Sequence, residues 1–358
     1  MENLSDKSSQ KYSVGIAVDT GLGNFILKYP LLKLLQNDKN IAKIYLISTN
    51  INLINQIINY FNLSGLIYIN LISINDSNIK YLLLPFDCMP HNYLIASYRA
   101  KINTRIKHQS FPENNIVSKL RHIRQTSFYP NTTYVPLLAS RHETDLNLDL
   151  GEALLKKSIV RDNTVKLHVN TDKSVLEKFG IPYPFVVYQM GGANGTYSAK
   201  IWHPENAKQI IDGINNELHL PVVLLGDSGD KKQLVPYLDN LPKKCINLIN
   251  KTTLAEAIQI INASSLVIAH DSGLMHIADA LSKPLIALYG PTDIARTRPL
   301  KQSSQIVVSQ NEYTQIMYNF NCTEADLEKE NTNFKIMSGL NIETVWRAVQ
   351  EAINKNLL

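Results

Sequence analysis

Asp271, Ser272, Gly273, Leu274, Met275 and His276 follow a short apolar run, residues 266–269, and lead into the helically spaced apolar set Ile277, Ala278, Ala280 and Leu281. A strand that passes into a helix across such a turn aims main-chain N–H groups and a helix N-terminus at one spot, where an anion such as a pyrophosphate is stabilised. Gly273 admits a ligand close to the backbone, and Ser272 and Leu274 add main-chain donors. Asp271 and His276 carry side chains able to reach sugar or phosphate oxygens. The chemistry is that of a nucleotide-sugar site. The same residues also fit an Asp or Ser N-cap beside a hydrogen-bonded histidine, with no ligand.

The elements needed to position this turn recur along the chain. The first half opens with a strand at 14–18, a turn through Gly21, Leu22, Gly23 and Asn24, a helix from Phe25, and a strand at 44–48. Strands are also expected at 66–69 and 81–84, broken helix over 92–127, and a helix over 141–156. The pattern restarts after Pro182 and Pro184 with a strand at 185–189, a glycine loop at 191–195, and a helix over 204–218 that has Pro204 in its first turn. A strand at 222–225 follows, then a helix through 261 opened by the capping box Thr253 and Glu256, and strands at 266–269 and 285–289. Repeated strand, loop and helix specify α/β architecture with parallel sheets, whose ligands bind at the carboxyl ends of the strands. The informative loops all fall at such ends. Val345, Ala348, Val349, Ala352 and Ile353 give a last helix with an apolar stripe, expected to pack back on the first domain.

At 358 residues the chain suits two domains, with 1–170 and 171–340 as expected bounds and 341–358 as the final helix. Its 44% hydrophobic and 19% charged residues describe a globular protein. No stretch approaches the ~20 apolar residues of a membrane span, and residues 1–11 lack the apolar centre of a secretory signal, so a cytoplasmic location is expected. Cys88, Cys245 and Cys322 have neither metal-ligand nor disulfide spacing. The net charge of +5 is concentrated in Arg99, Lys101, Arg105, Lys107, Lys119, Arg121 and Arg124, opposed over that stretch by Glu113. Such a run suits a phosphorylated acceptor, an anionic membrane surface or an ordinary solvated face. No nucleic-acid motif accompanies it.

Taken together, these loops resemble glycosyltransferase family 9, the bacterial heptosyltransferase family. The resemblance rests on Gly23 through Pro30, on Arg141-His142-Glu143 with Asn147, on Gly191-Gly192 through Lys200-Ile201-Trp202-His203-Pro204, and on Asp271 through His276 with Pro284 and Gly290-Pro291-Thr292 behind. It implies a GT-B fold: α/β, with two doubly wound Rossmann-like domains facing across a cleft. The first domain would bind the acceptor and the second a nucleoside-diphosphate sugar, with ADP-heptose the family default. The acceptor would be lipopolysaccharide core or a related glycan, approached at the cytoplasmic face of the inner membrane, and no cofactor or metal is implied. Lys200 would lie beside the diphosphate, where a cation neutralises charge growing on the leaving group. Ser272, Gly273, Leu274 and His276 would donate to it, Asp271 would take sugar hydroxyls, Gly21 and Gly23 would line the site, and Asp227 and Asp230 would reach ribose or base. Trp202, directly before a helix start, reads as a packing anchor.

One departure bears on the reaction. Where the family has an aspartate after the glycine, thought to be the base, this chain has Asn24, and an amide takes no proton at neutral pH. Asp19 is the nearest acid, with Asp87, His91 and Glu143 further off. The expected catalytic set is therefore Asp19, Asn24 and Lys200. The expected reaction inverts the anomeric carbon, and the competing reading is a GT-B nucleotide-sugar-binding protein that has lost transfer. An epimerase is disfavoured by the Lys200 and Asp271 loops, and a nicotinamide dehydrogenase by the missing third glycine and acidic residue after Gly21-Leu22-Gly23.

Overall fold

A computed structural model describes residues 11–19, 21–49, 52–88, 90–109, 131–138, 140–192, 198–317 and 322–357. They divide into two compact units, Met1–Thr20 with Lys28–Leu138 and Thr144–Asp162, and Gly21–Leu27 with Ala139–Glu143 and Asn163–Leu358. Two short segments of the first half, Gly21–Leu27 and Ala139–Glu143, belong to the second unit by their packing.

The first unit is built on β1 (Tyr12–Ala17), β2 (Ile41–Ser48), β3 (Leu66–Asn70), β4 (Ile79–Leu84), β5 (Thr104–His108) and β6 (Thr132–Val135), all parallel in the order β3-β2-β1-β4-β5-β6. Among the described residues the α-helices of the first half are, in chain order, α1 (Leu22–Ile26), α2 (Tyr29–Gln36), α3 (Asn52–Ile57), α4 (Pro90–Arg99) and α5 (Glu143–Leu155), with α1 in the second unit. β5 replaces part of the expected broken helix, and β6 follows beyond its expected end. β5 reads Thr-Arg-Ile-Lys-His, and both Arg105 and Lys107 are buried on it, whereas Arg99 and Lys101 are exposed. Basic residues that suggested one charged face are thus split between interior and surface, and burial holds the Lys107 ammonium below its ordinary range. Lys119, Arg121, Arg124 and Glu113 lie outside the described residues.

The second unit continues with α6 (Ser174–Lys178), β7 (Val186–Gln189), α7 (Pro204–Asn216), β8 (Val222–Leu224), α8 (Ser228–Leu234), β9 (Cys245–Asn247), α9 (Leu254–Ala263), β10 (Leu266–His270) and α10 (Gly273–Ala280). It closes with β11 (Leu285–Tyr289), α11 (Ile294–Thr297), β12 (Ser304–Val308), α12 (Glu324–Glu330) and α13 (Ile342–Leu357). Its sheet is parallel in the order β12-β11-β10-β7-β8-β9, so each unit repeats one doubly wound plan in which the strand order reverses beside the first strand. The reversal lies between β1 and β4 in one unit and between β7 and β10 in the other, and it opens a crevice at the carboxyl ends of those strands. β7, β10 and β11 are buried at every position, as central parallel strands must be. Thr253 and Glu256 form the expected capping box on α9. The short strands β9 and β12 gave no separate sequence signal.

The final helix corrects an expectation. Val345, Ala348, Val349, Ala352 and Ile353 of α13 join the core of the second unit with Ile210 and Ile214 of α7 and Val307 of β12, rather than the core of the first. Gly213 makes the approach of α7 to α13 possible, because a Cβ there would stand 2.9 Å from the Trp346 ring. An apolar stripe identifies that a helix is buried, not which of two similar sheets receives it. Ile214→Ala should destabilise the chain by about 2–5 kcal/mol in denaturant unfolding; a change within error would mean that this seam is not part of the core.

Candidate functional site

The crevice of the second unit is assembled from the loops after β7 and β10. His270, the last residue of β10, is fully buried; its Nδ1–H donates to the Gly191 carbonyl at 2.8 Å and its Nε2 accepts the Trp202 N–H at 3.1 Å. Burial pulls the imidazole down to about 4, so the neutral ring is the form that joins these two loops at physiological pH. Trp202 is completely buried among Val186, Leu224 and Ile210, as an anchor should be. Between the fastened points lies Lys200, whose Nζ meets Asp271 Oδ2 at 2.9 Å, with the two side chains 13% and 7% exposed. Burial alone would raise the Asp271 carboxyl, but the Lys200 charge, with a smaller contribution from His276, holds it below the usual carboxylate range. His276 is buried and, chiefly for that reason, lowered from the ordinary imidazole range.

Ser272 occupies the N-cap position of α10 without capping it, because its hydroxyl donates to Gln189 Oε1 at the end of β7. The first-turn N–H groups of Gly273 and Leu274 therefore have no capping side chain, and both residues are partly exposed. Leu22 of α1 packs on Gly273, and a Cβ on Gly23 would come within 2.7 Å of the His276 ring. Gly21, Gly23 and Asn24 thus stand in the segment lying against the start of α10, and Asn24 is part of helix α1 rather than of a turn. One ammonium, backbone donors and a helix N-terminus at one edge of a parallel sheet form a place able to hold a diphosphate.

Other candidates are committed elsewhere. Asp230 is 2% exposed; its Oδ1 accepts the Gly192 N–H and its Oδ2 the Asp227 N–H, each at 3.0 Å. The expected contact with ribose or base is replaced by a structural clamp, and Asp227 caps α8. Gly191 is required beside this clamp, since a Cβ there would fall 2.0 Å from Asp230 Oδ1. Residues 193–197 of the glycine loop lie outside the described residues. In the first unit Asp19 Oδ1 accepts from Ser48 Oγ at 2.6 Å and Thr49 Oγ1 at 3.0 Å, and also from the Thr49 N–H. Burial would raise this carboxyl, yet the hydrogen bonds keep it below its ordinary value. Asp87 pairs with buried Lys28, and Glu143 with Arg296 at 3.0 Å, so neither is an uncommitted acid; the His91 side chain lies outside the described residues. His270 and Gln189 were missed in the sequence. The available signal was their polarity at the ends of otherwise apolar strands.

Two parallel sheets of equal plan, each with its crevice beside its first strand, are the GT-B arrangement. A glycosyltransferase family 9 crystal structure from Veillonella parvula superposes with a TM-score of 0.73 over 97% of this chain and 98% of that one, at 18% identity. The Escherichia coli ADP-heptose lipopolysaccharide heptosyltransferase II gives 0.72 over 97% of this chain and all of that one (100%), at 16% identity. Residues 152–327 match the profile of glycosyltransferase family 9 (heptosyltransferase), a likeness that covers just under half of the chain. Haemophilus influenzae lipooligosaccharide heptosyltransferase 2 is 42% identical over 92 residues, which are 24% of this chain and 26% of that protein. The chain matches only about a quarter to a third of the length of such curated relatives, 26% and 32% in two of them.

The Asp230 carboxyl is pushed up to about 7 by burial, from 3.8 in the unfolded chain. The folded state therefore binds more protons between these values, and this group's contribution to stability falls as pH rises through that window. Asp230→Asn should remove the slope, so that the melting temperature of wild type relative to the variant declines from about pH 5 to about pH 8. A constant difference would separate Asp230 from the titration.

Proposed function

We propose that this protein is an inverting glycosyltransferase that moves a sugar, with heptose from ADP-heptose as the first choice, to a hydroxyl of lipopolysaccharide core or a related cell-surface glycan. The observation that carries this reading is the Lys200–Asp271 pair beside the uncapped start of α10, at the topological switch point of a sheet that lies within the family 9 match. The names of the relatives support the choice of sugar and acceptor, since they describe heptosyltransferases of lipopolysaccharide and lipooligosaccharide.

In this reaction an acceptor hydroxyl oxygen bonds to the anomeric carbon from the face opposite the diphosphate, the glycosidic C–O bond breaks toward the nucleotide, and the acceptor proton passes to a carboxylate. Lys200 and the N–H groups of Ser272, Gly273 and Leu274 stabilise the charge that grows on the leaving diphosphate, which is how the transfer proceeds without a metal in this proposal. Asp271 holds Lys200 in place and takes sugar hydroxyls, and His276 backs the helix start. Asp19 is the carboxylate we assign as base, with Asn24 positioning the acceptor by hydrogen bonding. The enzyme would work in the cytoplasm, at the inner-membrane face where a glycolipid acceptor is presented; among the described residues no helix is long and apolar enough to cross the membrane.

A second reading, a nucleotide-sugar-binding protein without transfer, is favoured by one observation. Asn24 is an amide, and the hydrogen bonds that keep Asp19 below its ordinary range make it a weak base. Incubation with ADP-heptose and a core acceptor separates the two, because transfer releases ADP and binding alone does not. Lys200→Ala should lower kcat or raise the donor KM by about 10- to 1000-fold, and near-normal kinetics would remove Lys200 from the reaction. Asp19→Asn should abolish turnover while leaving ADP affinity unchanged; surviving turnover would exclude Asp19 as base.

A further inference from the structure

Glu324, the first residue of α12, has a carboxyl oxygen, Oε1, that is withdrawn from solvent and accepts no hydrogen bond among the described residues. Its surroundings are fixed from the helix turn that follows. Glu328, one turn further along α12, accepts the Ser198 N–H on Oε2 and the Ser198 hydroxyl on Oε1, each at 2.7 Å, and Asn331 Nδ2 donates to the same hydroxyl at 2.8 Å. Leu327 packs in one cluster with Ala199 and Met317. The helix is thereby fastened to residues 198–199, immediately before Lys200, and the Glu324 carboxyl senses Lys200 and Asp271 electrostatically as well as Glu328. Burial keeps that carboxyl above its ordinary range, with Asp271 and Glu328 adding to the rise and Lys200 opposing it.

A buried carboxyl oxygen without a donor is costly, and where one persists beside a binding site a ligand is the natural supplier of the missing hydrogen bond. It is the wrong group to face phosphate, because two negative charges in a half-buried site repel. A hydroxyl-bearing part of the ligand, next to the diphosphate held by Lys200, satisfies both conditions. We propose that Glu324 is a further ligand-contacting residue of the Lys200–Asp271 site, whose Oε1 accepts a hydroxyl of the transferred sugar and so contributes to selecting a polyhydroxylated donor. This rests on the donor-site reading given above.

The test compares ADP with ADP-heptose by titration calorimetry on the full chain, in wild type, Glu324→Ala and Glu324→Gln, with thermal melts to establish that each variant is folded. Loss of a hydrogen bond to a charged group should weaken ADP-heptose binding by about 10- to 100-fold in Glu324→Ala, with Glu324→Gln intermediate because its amide oxygen still accepts. ADP should bind both variants as tightly as wild type or more tightly, since a nearby negative charge has gone. Equal weakening of both ligands, or unchanged ADP-heptose affinity in both variants, would overturn the role of Glu324 while leaving the donor site standing. A wild-type chain that binds neither ligand would overturn the donor site and this inference together.

Discussion

One ion pair governs what the second unit can do. Withdrawing an ammonium and a carboxylate from water costs several kcal/mol for each ion, and such a pair persists only where its geometry is enforced from outside. Here the enforcement is the neutral His270 ring, which ties the strand end before Asp271 to the residues on either side of Lys200. The outcome is a lysine whose charge is balanced by Asp271 and which is already aimed at the start of a helix that has no side-chain cap. For the transfer proposed here this is preorganisation: the positive charge is in position before the leaving group develops its negative charge, and little reorganisation is needed when it does.

The supporting residues divide the work by chemistry. Ser272 and Asp230 both carry groups suited to helix capping, and the first is diverted to Gln189 while the second completes the capping box of α8 with one oxygen and holds the glycine loop with the other. The diversion of Ser272 leaves first-turn amides without a capping side chain, a state that favours an anion. The clamp at Asp230 fixes Gly191, whose missing side chain leaves room for a carboxyl that no larger residue would tolerate. In the first unit, Asp19 shows the opposite design. Its hydrogen bonds from Ser48 and Thr49 stabilise the ionised form, which secures the charge at neutral pH and weakens it as a base, and Asn24 makes that balance the central chemical question about this chain.

Much of this was legible in the amino-acid order. The alternation of apolar runs with Gly, Pro and capping residues specifies parallel α/β units, because each strand and helix must bury one side on its neighbour. The strand-to-helix turn at Asp271–His276, the capping box at Thr253 and the packing role of Trp202 followed from residue type and place, whereas Lys200 was singled out by the family resemblance. The local signal failed where charged or polar residues sit in the interior. Arg105 and Lys107 read as surface until β5 placed them inside, and His270 and Gln189 closed apolar strands without announcing their partners.

The sequence by itself determined the period of every long element, the repetition of the plan and the identity of the turn that presents its amides, since these depend on neighbours within a few residues. Only the tertiary structure decided which sheet receives the final helix, that Asp230 is a clamp rather than a contact, and that Lys200 meets Asp271. Each of those facts joins residues far apart in the chain, and their free energies are set by burial and by the geometry of a partner that the local sequence does not encode.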